Sequence, residues 1–186
     1  RAMIEDSILC SRGQCTYDNI RQRDDDVNRL YYLGYRVIKN AMKNPRVAKS
    51  LKTEPWQLHS DSIVVIKLEK IADRQKRTAR HLCSASLDRT ALSEIDKLHT
   101  DIAESYNNVM KSYYNQDKKA SFGIEITNKE RTSACDRFLE KYANEHASSK
   151  SKNSNSNLIA VAKVIENLKA TAAEVKNIAR VVICYE

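Results

Sequence analysis

The sequence predicts an all-α protein, on three observations. Three glycines and two prolines in 186 residues supply too little turn chemistry for an all-β chain. Hydrophobic residues at 41% beside charged residues at 30% suit amphipathic helices in a folded domain rather than a disordered chain. Apolar residues recur at steps of three and four over long stretches, which is the helical period.

Taken in order, the chain opens with a short helical piece that ends near Gly13. A helix over residues 17–44 follows, with Ile20, Val27, Tyr31, Gly34 and Ile38 inward and Pro45 as its stop. The next spans 53–85, opened by Thr53 with Pro55 in its first turn, where a missing N–H costs little, and carries Val64, Leu68, Ile71, Gln75, Thr78 and Leu82. Residues 88–116 repeat the pattern through Leu92, Ile95, Leu98, Ile102, Tyr106, Val109 and Tyr113. A helix over 118–146 places Phe122, Cys135, Phe138 and Tyr142 inward, and the clearest stripe runs from Leu158 through Val161, Ile165, Leu168, Ala172, Val175 and Ala179 to Val182. Between these two, residues 147–157 (ASSKSKNSNSN) are small, polar and aperiodic, and read as a mobile loop.

Several function classes recede on composition. No apolar run approaches the roughly 18 residues of a membrane span. The net charge of +8 suits an anionic partner, but the densest basic stretch, RQKRTARH at 74–81, reads as the solvated face of a helix, and no nucleic-acid motif accompanies it. Five scattered cysteines, an odd number, argue against a closed disulfide framework and for a reducing cytoplasm; Cys10 and Cys15 lack a second Cys or His pair at zinc spacing and read as small buried hydrophobes. The four histidines belong to no Glu-x-x-His pair of the kind di-metal bundle enzymes use, so they are expected on solvated faces or helix ends and no catalysis is expected.

An internal repeat organises the helices. Arg23, Asn28, Arg29 and Leu30 align with Arg131, Asp136, Arg137 and Phe138 at an offset of 108, while Leu68, Ala72, Lys76, Ala79 and Arg80 align with Leu168, Ala172, Lys176, Ala179 and Arg180 at an offset of 100. Two three-helix units, 1–86 and 87–186, follow from this. The first helix of the first unit would then begin before Arg1.

The acidic run at 24–26 has one inward member. Successive helical residues turn about 100° round the axis, so Asp24 joins the stripe of Ile20, Val27 and Tyr31 while Asp26 points the opposite way. Asn28 lies one turn above Asp24, and Glu69 and Asp73 repeat the four-residue spacing on the 53–85 helix. Asp24, Asn28, Glu69 and Asp73 thus form an oxygen-donor set suited to a divalent cation; the same residues also read as surface ion pairs, Asp24 with Arg21 or Arg29 and Glu69 with Lys70, Arg74 or a basic residue of the next helix.

At DDDVNRL and LEKIADR the chain resembles the PhoU family of phosphate-uptake regulators. The resemblance implies two pseudo-symmetric three-helix bundles, each with paired E/D-x-x-x-D motifs that hold metal clusters, iron or zinc ahead of magnesium or manganese. Asp24 and Asn28 fall on the first motif, Glu69 and Asp73 on the second. In the second repeat Thr132, Lys169 and Ala173 stand where acids belong, and only Asp136 remains, so a second cluster is not expected. The resemblance further implies a cytoplasmic, non-enzymatic regulator, often a homodimer, that restrains a phosphate ABC transporter or its signalling partner. Some archaeal relatives carry an AbrB-type DNA-binding domain in front, which a segment before Arg1 would accommodate. The alternative from charge is a basic helical nucleic-acid-binding regulator.

Overall fold

The computed structural model describes residues 1–146 and 152–184, and among these it is 90% helical, with no strand. The helices are α1 (Ala2–Ser11), α2 (Tyr17–Lys43), α3 (Pro45–Leu51), α4 (Pro55–Ser84), α5 (Arg89–Asn115), α6 (Lys118–His146) and α7 (Lys152–Ile183).

Local chemistry sets the breaks. Gly13, at φ +78°, turns the chain back after α1, and the N–H groups of Gly13 and Gln14 close onto the carbonyls of Cys10 and Leu9. Pro45 ends α2 as expected, but it also starts α3: Asn44 leaves the helix in an extended conformation, and its side chain accepts a hydrogen bond from the Arg46 N–H. The helix expected to open at Thr53 instead begins at Pro55, with Glu54 as its N-cap residue, because the Thr53 hydroxyl turns back to the Ala48 carbonyl. Asp88 caps α5 through the Ala91 N–H at 2.7 Å, and Asp117 caps α6 through the Ala120 N–H at 2.9 Å.

Part of the expected 147–157 loop is helical. Residues 152–157 are the first turns of α7, and residues 147–151 lie outside the described residues. Asn157 is anchored as well: its amide donates to the Ser86 carbonyl at 2.7 Å and its oxygen accepts from the Ser86 N–H at 3.1 Å. Two hydrogen bonds to the backbone of one residue are what a composition-based reading of polar residues overlooks.

Two groups of helices pack among themselves, α1 with α2 and α4, and α5 with α6 and α7; between the groups, α4 lies along α7 and α1 touches α5. The largest apolar cluster draws on both, joining Ile20 and Ala79 to Ile95, Phe138 and Leu168, so the interior is continuous across the 86/87 boundary. Fully burying side chains such as Ile165, Leu168 and Ile178 contributes about 1.5–3 kcal/mol each. A second cluster holds Ile71 and Val175, and a small third one ties α3 to the ends of α2 and α4. Phe122, expected inward, is 56% exposed, since Ser121 and Ile124 supply the buried face of that turn.

Candidate functional site

Of the three consecutive aspartates, Asp24 is buried and Asp25 and Asp26 are exposed. The partner of Asp24 is neither Arg21 nor Arg29. Lys76, reaching across from α4, places its Nζ 2.5 Å from Asp24 Oδ2 and 3.9 Å from Asp73 Oδ1, while Arg77 holds Asp73 from the other side at 2.8 Å. Burial pulls the Lys76 pKa down, but the hydrogen bond and charge of Asp24, with Asp73, outweigh it and leave it raised. Asn28 turns its amide N–H toward Asp24 Oδ2 at 3.4 Å, offering a donor where a cation would need an oxygen.

Glu69 sits near these groups without an ion pair among the described residues. Burial, then the charges of Asp73 and Asp24, raise its pKa. It borders an apolar cleft of about 280 Å³ formed by Val27, Leu30, Tyr31, Leu68 and Tyr106. As placed, the four residues do not fit a cation: the Lys76 ammonium supplies the positive charge, Asn28 points a hydrogen at the carboxylate, and the carboxylates of Asp24, Glu69 and Asp73 do not lie close enough to one another to share a metal ion.

The aligned positions in the second half make a related contact. Lys169, which falls on Glu69, meets Asp136, which falls on Asn28, at 2.5 Å between α7 and α6. Each half therefore joins its acid-bearing helix to the following long helix by a lysine–aspartate pair.

A polar chain crosses the centre of the molecule. Thr171 donates its hydroxyl to the Asn167 carbonyl at 2.9 Å, and so accepts from the Gln75 amide at 3.0 Å. That leaves the Gln75 oxygen to accept from His99 Nε2 at 2.7 Å. Nε2 of His99 therefore carries a proton; Nδ1 has no hydrogen-bond partner among the described residues, and burial lowers the pKa to about 4, so the ring is neutral at neutral pH. The expectation that all histidines lie on solvated faces or helix ends fails here, because apolar periodicity does not mark a buried polar residue that has a distant partner.

The cysteines also depart from expectation. Cys83, at the end of α4, meets Cys15 and Cys10 at the α1–α2 turn, and their sulfurs lie within 4.8 Å of one another. Among the described residues this is the one group of three or more Cys, His, Asp or Glu side chains placed closely enough to hold a metal ion, and its members also lie at disulfide distance. Of Cys10 and Cys15, both expected as small buried hydrophobes, only Cys10 is buried; Cys15 is half-buried and Cys83 exposed. A signal was present in the sequence. In an up-down-up arrangement of α1, α2 and α4, the end of the first, the start of the second and the end of the last share one end of the bundle, and these are the positions of residues 10, 15 and 83.

Comparison with known protein families, with curated proteins and with solved structures finds no match for this chain. No helix among the described residues is long and apolar enough to cross a membrane.

Proposed function

We propose that the chain is a PhoU-like, non-enzymatic regulator of phosphate uptake and phosphate-responsive signalling. It acts in the cytoplasm through protein contacts, as a homodimer, on a phosphate ABC transporter or its signalling partner. The observation that carries this reading is the correspondence between α4 and α7. Residues 71–80 and 171–180 share one sequence of buried, half-buried and exposed positions at nine of ten places. The two helices also meet at equivalent residues: Gln75 bonds Thr171, while Val175 and Ile71, their aligned counterparts, share a cluster. The cross-contacts between the two helix groups, α4 with α7 and α1 with α5, again join equivalent members. A duplicated three-helix unit accounts for all three observations, and that is the architecture the resemblance at DDDVNRL and LEKIADR implies.

Iron or zinc on Asp24, Asn28, Glu69 and Asp73 belongs to this reading only if Lys76 gives way and the carboxylates draw together. The regulator reading rests instead on surfaces, and its test is retention of a detergent-solubilised phosphate ABC transporter, or its cognate sensor kinase, on the immobilised chain. Binding of either at micromolar concentration supports it; retention of neither overturns it.

The net charge of +8 favours the nucleic-acid alternative. Against it, eleven of the basic side chains among the described residues are engaged in ion pairs within the chain. A steep fall of duplex DNA binding with salt is the result that would favour it over the transporter.

A further inference from the structure

Three sulfurs meet where the end of α1, the turn before α2 and the last turn of α4 come together. Cys15 is within disulfide reach of both Cys10 and Cys83, with Cα atoms 4.0 and 6.4 Å apart. A sulfur forms one S–S bond at a time, so either bond made by Cys15 leaves a third thiol beside a disulfide. Thiol–disulfide exchange needs that juxtaposition, because the attacking thiolate must reach a disulfide sulfur directly. Exposure is graded across the three, from exposed Cys83 through half-buried Cys15 to buried Cys10. The other two cysteines lack such company: Cys184 is exposed and free, and Cys135 is free with its thiol pushed up to about 11 by burial.

From this geometry we propose that Cys83, Cys15 and Cys10 form a thiol–disulfide relay, in which Cys83 exchanges with a low-molecular-weight disulfide, Cys15 shuttles and Cys10 is the internal terminus. The Cys83 thiolate attacks one sulfur of the external disulfide; the mixed disulfide forms, and the first small thiolate leaves and takes up the proton that Cys83 gave up. Cys15 then attacks Cys83 Sγ, forming the Cys15–Cys83 bond and releasing the second small thiol. Two protein thiols have been oxidised and one external disulfide reduced to two thiols. In the last step the Cys10 thiolate attacks Cys15 Sγ, the Cys10–Cys15 bond forms and the Cys15–Cys83 bond breaks. Cys83 leaves with the electron pair and takes the proton lost by Cys10, with no net redox change. The exposed sulfur is free again while the oxidising equivalent rests behind it.

The site is independent of the regulator reading and is tested on the reduced chain with glutathione disulfide as the probe. Tryptic cleavage after Arg12, Arg21, Arg80 and Arg89 puts the three cysteines on separate peptides, so acid quenching, alkylation and mass spectrometry follow each bond. The expected order is a glutathione adduct on Cys83, then the Cys15–Cys83 linkage, then Cys10–Cys15 at its expense. Cys10→Ser should halt at Cys15–Cys83, and Cys83→Ser should slow oxidation of the other two by about tenfold or more, since the accessible attacking thiol is gone. Three results would overturn the proposal. In the first, Cys10 stays open to alkylation throughout while Cys15–Cys83 is the final product. In the second, Cys10–Cys15 forms equally fast in Cys83→Ser. The third is stoichiometric zinc shielding all three thiols while glutathione disulfide produces no linked peptides, which would make the cluster a metal site instead.

Discussion

In the first half of the chain Lys76 of α4 meets Asp24 of α2; in the second, Lys169 of α7 meets Asp136 of α6. The contacts look alike, and their surroundings do not. Asp24 keeps 6% of its side-chain exposure and Lys76 29%, against 50% and 37% for Asp136 and Lys169. A pair inside the protein is hard to break because removal of one partner strands a desolvated charge, whereas an exposed pair returns to water at little cost. The first half also carries the cysteine cluster and the apolar cleft beside Glu69, while at the corresponding end of the second half Cys184 is free. The buried lysine–aspartate pair and the clustered cysteines thus lie in one of two similarly packed halves. Duplicated helix packing need not duplicate chemistry.

The largest expected effect tests the buried pair. Lys76→Met leaves Asp24 unpaired and should lower stability by about 3–4 kcal/mol in urea titrations near neutral pH. With Lys76 gone, Asp24, Asp73 and Glu69, which do not lie within metal-holding distance of one another as placed, can draw together on a hard cation. Manganese, which prefers oxygen donors to thiols, should then restore part of the lost stability in the variant and leave the parent unchanged. A parent stabilised by manganese would return the metal to the site despite Lys76.

The junction between the halves should respond to acid. The His99 pKa of about 4 in the folded chain lies below its ordinary 6.5, so the unfolded chain takes up the proton first. Stability is present above pH 6.5 and is lost as the pH falls toward 4, by about 3 kcal/mol. His99→Gln, which keeps a donor for the Gln75 oxygen, should flatten that part of the profile when urea midpoints at neutral and mildly acidic pH are compared. An unchanged slope would remove His99 as its source.

A smaller effect separates the two disulfide pairings of the first half. Cys15–Cys83 spans 68 residues and Cys10–Cys15 only 5. On chain entropy the longer loop is the more stabilising by about 2 kcal/mol, so Cys10→Ser locked in its Cys15–Cys83 form should melt above Cys83→Ser locked in Cys10–Cys15. The smallest effect sharpens the opening comparison: Lys169→Met should cost less than about 1 kcal/mol. A cost equal to that of Lys76→Met would show that burial is not what distinguishes the two pairs.

Much of this was legible in the residues. The apolar stripes located the five long helices, Gly13 and Pro45 marked real turns, and helical geometry singled out Asp24 as the inward aspartate. Each of these rests on neighbours within one or two turns, so local sequence suffices for them. Relations between distant segments are set by how the helices pack. Lys76 rather than Arg21 or Arg29 pairs with Asp24 because the register of α2 against α4 sets which cation reaches the buried oxygen. His99 is buried because Gln75 and Thr171, from two other helices, continue its hydrogen bonding. Asn157 is held because Ser86 passes beside it, and Cys83 joins Cys15 across 68 residues because α1, α2 and α4 bring their ends together. Helical periodicity records which face of a segment is apolar, but not which residue of another helix that face will meet. The polar pairs and the sulfur cluster depend on the second quantity.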